Sequence, residues 1–131
     1  MRYRPFVLGV LLASLAGAAV AQEVGNVGAA NQDATGQAPG ASARGLTVGA
    51  RVVQKERIRT NANGSAQIAF KDSSALNIGR NSDVTIDKFV FDPSSGAGEM
   101  TTSMTRGALR FVGGKVSHGG GATLKTPAAT I

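Results

Sequence analysis

The 131-residue sequence contains no cysteine. Disulfide bonds, thiolate nucleophiles and cysteine-based zinc or redox sites are therefore excluded. Small exported domains often depend on disulfides. A domain of that kind built from this sequence must instead be stabilised by backbone pairing and by apolar packing.

Tryptophan is also absent, and His118 is the only histidine. A metal site of ordinary stability needs several ligands, and His118 supplies one. No nucleophile-elbow pattern surrounds any serine, and no tryptophan is present to stack on a sugar in a glycosidase cleft. We therefore predict that the protein is not an enzyme, with no catalytic residues, no bound metal and no cofactor.

The longest apolar run lies at the N-terminus and predicts an export signal. Arg2 and Arg4 precede it, residues 6–20 are almost all apolar or small, and Ala19-Val20-Ala21 fits the small-x-small cleavage pattern. The run is short for a membrane span of about 20 apolar residues. We predict a signal peptide over residues 1–21, cleaved after Ala21, and a periplasmic or secreted product with no membrane span in the mature chain.

The charge balance is basic and narrows the choice of partner. The formal net charge is +6, and it falls to +4 when Arg2 and Arg4 leave with the signal. The one aromatic-and-basic cluster, Leu109-Arg110-Phe111, is too small for a base-stacking platform, and an exported protein meets little nucleic acid. We expect no nucleic-acid partner, whereas anionic glycans of the envelope remain candidates by charge.

Residues 22–45 are rich in glycine, alanine, glutamine and asparagine, which is typical of a flexible leader. Within them, Val24 to Ala29 either belongs to that leader or forms a short first strand, because so short an apolar run is ambiguous on pattern alone. In the second case, Asn31 to Ala43 would be a loop. Residues 46–131 are predicted to form the folded domain.

From Gly45 onwards, beginning at Val48, Ala50 and Val52, apolar and polar residues alternate as they do in half-buried strands. Turn-favouring clusters separate the runs, and no helical stripe is present. We predict an all-β domain, either a short-stranded β-solenoid or a small β-sandwich. Solenoid-like winding is favoured because hairpin signals are scarce. The predicted inner face carries Ile68, Phe70, Leu76, Ile78, Val84 and Ile86.

The alternation slips by one residue after Ile86. Phe89 and Phe91 are apolar, although continued alternation would place Lys88 and Val90 on the inner face. Either a bulge near Asp87-Lys88 shifts the register, or both faces of this strand are covered. The sequence that follows, from Asp92 to Gly96, predicts a tight turn.

Four aspartates recur near predicted strand ends, namely Asp72, Asp83, Asp87 and Asp92. Stacked along one edge they would offer oxygen ligands to calcium, but their spacing matches no calcium loop. We interpret them as turn caps. Asn63-Gly64-Ser65 matches a glycosylation sequon, and we interpret it as a hairpin turn.

Residues 56–87, ERIRTNANGSAQIAFKDSSALNIGRNSDVTID, resemble the centre of a FecR domain. The shared features are a Gly- and Ser-containing turn after Thr60, an Asp-x-Ser corner at Asp72, an L-x-I-G segment and an Asn-Ser-x-Val segment. The segments TRGALRFVGGK (105–115) and KTPAATI (125–131) are similar to the single-domain secreted branch of that family. The residue after the corner aspartate is often glycine in the family, and it is Ser73 here.

This resemblance covers about residues 23–131 and implies a non-catalytic periplasmic module. Such domains usually continue beyond the Thr-Pro-x-Ala-Thr-Ile segment, so we expect a chain that is either naturally short or truncated after Ile131. The predicted function is a binding or scaffold module in envelope signalling that presents a β-surface to an envelope protein. The alternative is binding of peptidoglycan or an acidic glycan. The partner, the oligomeric state and any iron regulation do not follow from the sequence.

Overall fold

The computed structural model describes residues 22–31 and 33–127, and the predicted signal peptide lies outside this part of the chain. Within it, none of the helices has the length and apolar character needed to cross a membrane. The predicted all-β class is confirmed. The elements are β1 (Glu23–Ala30), β2 (Ala34–Gln37), β3 (Arg44–Gly45), β4 (Arg51–Val53), β5 (Arg57–Thr60), β6 (Ala66–Phe70), β7 (Ala75–Ile78), β8 (Asp83–Phe91), β9 (Gly98–Arg106), β10 (Leu109–Val112), α1 (Lys115–His118) and β11 (Ala122–Lys125).

The strands form two sheets that pack against a common core. Sheet A has the order β10-β7-β6-β1-β4, and sheet B has the order β11-β9-β8-β5-β2-β3. The described pairs are antiparallel except for β11 with β9. Of the two predicted arrangements this is the sandwich. The favoured solenoid winding is not observed in the described residues, because consecutive strands cross between the sheets or reverse in hairpins.

The core is apolar and contains every residue predicted for the inner face. Ile68 and Leu76 lie directly opposite each other on neighbouring strands and are fully buried. Phe70 of sheet A stacks on Phe89 of sheet B with ring centroids 5.1 Å apart, so the pair joins the two sheets. The other large buried apolar residues are Val24, Val27, Leu46, Val52, Ile58, Ile78, Val84, Ile86, Met100 and Val116.

The segment 22–45 is built into both sheets. The strand considered for Val24 to Ala29 is present as β1, which lies between β6 and β4. The loop predicted from Asn31 to Ala43 was wrong over β2, which pairs with β5. This strand has no branched apolar residue to reveal it. Its buried Gly36 lies against the Glu56 carboxylate and the Leu46 side chain, and an added Cβ would clash with the carboxylate and approach Leu46 to 2.8 Å.

Two turns differ from their predictions. Val48 is 69% exposed beside Gly49, whose φ is +86°, so the alternation there reflects a turn and the strand begins only at Arg51. The turn at Asn63-Gly64 joins β5 in sheet B to β6 in sheet A, so it is a crossing between sheets and not a hairpin. A turn signal in the sequence cannot distinguish these two uses.

The register shift after Ile86 is a β-bulge, as the first of the two alternatives predicted. The pairing of β8 with β9 skips between Ile86 and Lys88, and Phe89 is consequently buried whereas Lys88 is exposed. The Gln54 side chain compensates for the interrupted ladder. Its amide nitrogen donates to the carbonyl oxygen of Phe89, and its amide oxygen accepts from the Phe89 N–H at 2.9 Å.

Candidate functional site

Asp72 and Asp92 both cap turns, as predicted, but in different surroundings. The buried Asp72 carboxylate accepts hydrogen bonds from the N–H of Ser74 at 3.0 Å, the hydroxyl of Ser74 at 2.5 Å and the N–H of Val116 at 3.1 Å. Asp92 is exposed, and its described partners lie within its own turn: the N–H and hydroxyl of Ser94, at 2.9 and 2.6 Å, and the neighbouring Ser95. Asp72 therefore fastens α1 to the β6–β7 turn, whereas Asp92 acts only within its own turn.

Ser73 occupies a backbone conformation that favours glycine. Its φ is +71°, in the left-handed region where a Cβ is strained. This conformation accounts for the glycine that the resembling FecR domains often have at this position. Serine here costs strain that glycine would not.

His118 is exposed at the end of α1. Over residues 22–31 and 33–127 there is no group of three or more histidine, cysteine, aspartate and glutamate side chains placed to hold a metal ion.

The outer face of sheet A carries amide and small side chains, with the exposed Val112 opposite Ala75 at its β10 edge. Gln67 and Asn77 lie directly opposite each other on β6 and β7, and Asn26 lies on β1 opposite Ala69. Residues directly opposite in a ladder share a face of the sheet, so the three amides share this face, with Asn26 one row away from Gln67 and Asn77. We call this surface the amide face, and it comprises Asn26, Gly28, Ala29, Gln67, Ala69, Ala75 and Asn77.

Charged side chains lie only at the two ends of the amide face. Arg51 is opposite Asn26 on β4, and Arg110 is opposite Asn77 on β10. Arg51 pairs with Glu23 at 3.3 Å, whereas no described acidic group lies within ion-pair distance of Arg110. The centre of this face is uncharged.

The outer face of sheet B has a different chemistry. Arg59, Asp83 and Arg106 lie directly opposite one another on β5, β8 and β9. Arg57 binds both oxygens of the Asp83 carboxylate, at 2.8 and 2.5 Å. Arg59 approaches the same carboxylate at 3.6 Å. We call Arg57, Arg59 and Arg106 the arginine cluster.

The arginine cluster changes the titration of the acid that it surrounds. The side-chain hydrogen bond from Arg57 lowers the pKa of Asp83, partial burial opposes this, and the positive charges of Arg57, Arg59 and Arg106 lower it further. Asp83 therefore stays ionised at neutral pH. One carboxylate faces three guanidinium groups, so the cluster keeps an excess of positive charge.

The turn-cap interpretation was wrong for Asp83 and Asp87. Both lie within β8, where Asp83 binds Arg57 and Asp87 accepts a hydrogen bond from the hydroxyl of Ser103. At Asp87 the long strand continues through the bulge, so the strand end predicted there does not exist. Asp83 is the first residue of β8, but its carboxylate binds Arg57 instead of capping the preceding turn.

One signal for the arginine cluster is present in the sequence of β5. Arg57 and Arg59 flank the buried Ile58, and alternation alone places both on the outer face. Asp83 comes into register with them only through pairing between β5 and β8, and Arg106 only through the further pairing between β8 and β9. The residue pattern of a single strand does not specify which strand it pairs with.

Comparison with known proteins identifies one protein family. A family model described as "FecR protein" matches residues 56–131, which is more than half of the chain. The match begins just before β5, so β1 to β4 precede it, although these strands complete both sheets. No curated protein and no solved structure gives a significant match.

Proposed function

The chain belongs to the FecR protein family, and from this premise we propose that it is a non-catalytic binding or scaffold module. In this proposal the protein is exported to the periplasm or secreted, and it docks an envelope protein through the amide face. The observation that carries the proposal is the set of unpartnered amides at the centre of that face. In the described part of the chain, the side chains of Asn26, Gln67 and Asn77 make no hydrogen bond. Each amide offers donors and acceptors to a partner.

The surrounding side chains allow a close approach. Ala69 and Ala75 lie opposite each other in the row of Asn26, beside the row of Gln67 and Asn77, and Gly28 and Ala29 continue the surface on β1. Such short side chains lose little conformational freedom when a partner covers them. Neighbouring strands are about 4.8 Å apart, so the row from β4 to β10 is wide enough, at roughly 19 Å, for a protein partner.

The charge distribution indicates what that partner carries. Interface centres are depleted in charge, and their rims are polar. The amide face follows this pattern, with Arg51 and Arg110 at opposite ends of its rows. We expect the partner to be a folded protein with hydrogen-bonding groups at the centre of its contact surface and a carboxylate positioned to meet Arg110.

The proposal is tested by capture from an envelope extract of the producing organism. The tagged protein is compared with Ala75→Arg, which places a long charged side chain at the centre of the amide face, and with Thr85→Arg, which adds the same charge on the opposite sheet. Proteins retained are identified by mass spectrometry, and circular dichroism checks that each variant is folded.

We expect a specific protein to be retained by the wild-type protein and by Thr85→Arg, and lost with Ala75→Arg. The double variant Gln67→Ala, Asn77→Ala should weaken retention without adding charge, because it removes the central donors and acceptors. Retention that is equal in all folded variants would show that the amide face is not the docking surface.

A further inference from the structure

The arginine cluster on sheet B has binding capacity that its internal ion pairs do not use. Arg57 occupies both oxygens of Asp83, and Arg59 reaches the same carboxylate only at 3.6 Å. Arg106 is exposed, and no described acidic group lies within ion-pair distance of it. We propose that Arg59 and Arg106 bind a carboxylate group of an acidic glycan on this face.

The spacing of the two arginines suits a ligand that lies across the strands. Asp83 is directly between them in the ladder, so their Cα atoms are about 10 Å apart. Guanidinium groups on long flexible stems can converge from that distance on one carboxylate. Each offers a planar pair of N–H donors that matches the two carboxylate oxygens.

The neighbouring side chains favour a sugar over a lipid surface or a protein. A shallow depression beside the arginines is lined by Asp33, Thr35, Arg59, Thr60, Asn61 and Arg106. The hydroxyl groups of Thr35 and Thr85 have no described hydrogen-bond partner and can bind sugar hydroxyls. Large apolar or aromatic side chains, which anchor lipid insertion and protein interfaces, are missing from these lining residues.

Asp33 limits where the ligand can lie. It lines the same depression and would repel a carboxylate. It precedes β2, whereas Arg106 lies at the end of β9 on the other side of Arg59. The ligand carboxylate is therefore placed on the Arg106 side of Arg59. Asp83 lies in this space, but Arg57 already binds both of its oxygens, so Arg59 and Arg106 supply the positive charge for the ligand. The sugar hydroxyls extend towards Thr35 and Thr85.

The test is affinity electrophoresis of the purified protein, expressed from the full sequence, in gels containing polygalacturonate, polyphosphate or neutral dextran. The variants are Arg59→Gln, Arg106→Gln and Arg59→Lys, and the matched control is Arg110→Gln, which removes the same charge on the opposite sheet. Running the gels at about 0.01 M and about 0.15 M salt separates long-range attraction from contact, because screening shortens from about 30 Å to about 8 Å.

We expect polygalacturonate, and not dextran, to retard the wild-type protein at both salt concentrations. Arg59→Gln and Arg106→Gln should each weaken binding about tenfold, the usual value of one charged hydrogen-bonding contact, and Arg110→Gln should change it little. Arg59→Lys should also weaken binding, because lysine keeps the charge but loses the planar fork.

Equal weakening by Arg110→Gln and Arg59→Gln would overturn the assignment, since net charge alone would then explain binding. Retardation by polyphosphate without retardation by polygalacturonate would overturn the glycan and leave a phosphate site. Absence of retardation by polygalacturonate at low salt would also refute the proposal. This site and the amide face lie on opposite sheets, so a negative result here leaves the docking proposal intact.

Discussion

Replacing Asp72 by alanine should destabilise the domain well beyond the effect of removing a turn cap. The substitution leaves the buried N–H groups of Ser74 and Val116 without their acceptor, and it also removes the partner of the Ser74 hydroxyl. A buried donor left unsatisfied costs about 1–3 kcal/mol. We therefore expect a loss of about 2–5 kcal/mol, a large part of the 5–15 kcal/mol typical of a domain.

Asp92 provides a matched control within the same chain. Asp92-Pro93-Ser94 repeats the aspartate-x-serine turn of Asp72, but its carboxylate is exposed, and its partners among the described residues lie within the same turn. Asp92→Ala should therefore lower the melting temperature far less than Asp72→Ala. Asp72→Asn should fall between the two, because its amide oxygen can still accept from Ser74 or Val116.

The assay combines thermal unfolding with amide hydrogen exchange. In the wild-type protein the Val116 N–H is protected by Asp72, and its exchange should accelerate in Asp72→Ala more than that of the core strands, because α1 loses its attachment to the β6–β7 turn. A shift of about 10 °C or more in melting temperature is expected. If Asp72→Ala and Asp92→Ala lowered the melting temperature equally, the proposed role of the buried carboxylate would be refuted.

Four further outcomes follow from the same structure. Ile68→Ala and Leu76→Ala should each cost about 2–5 kcal/mol in denaturant unfolding, and an unchanged midpoint would refute the strand register. Ser73→Gly should raise the melting temperature slightly, because it relieves the strain at φ +71°; a decrease would contradict that reasoning. Thr102→Val should stabilise by about 1 kcal/mol, because the buried Thr102 hydroxyl has no described hydrogen-bond partner; destabilisation would indicate an unseen partner. The pKa of Asp83 is lower in the folded protein than in the unfolded chain, so its ionised carboxylate stabilises the fold. This stabilisation is complete above about pH 5 and is lost as the pH falls below about 4, the pKa of an unfolded aspartate. Asp83→Asn should therefore flatten the acid side of the curve of stability against pH.

Much of the fold could be predicted because buried strands leave a local pattern. The inner face from Ile68 to Ile86 followed from alternation. The slip at Phe89 predicted either a bulge or a strand covered on both faces, and the pairing of β8 with β9 shows the bulge. β2 could not be predicted, because its buried positions are alanine and glycine, which give no hydrophobic signal. Which residues lie side by side on the two outer faces could not be predicted, because these residues come from strands distant in sequence.

The sequence by itself determined the all-β class, the inner face of its central strands and the FecR resemblance, because each depends on residues close together in the chain. Only the tertiary structure decided between solenoid and sandwich, because that choice depends on which strands pair. It also showed that Asp72 reaches Val116 and that Arg59 and Arg106 flank Asp83. Such contacts arise when the chain crosses between two sheets, and no local pattern of residue types specifies where those crossings bring side chains together.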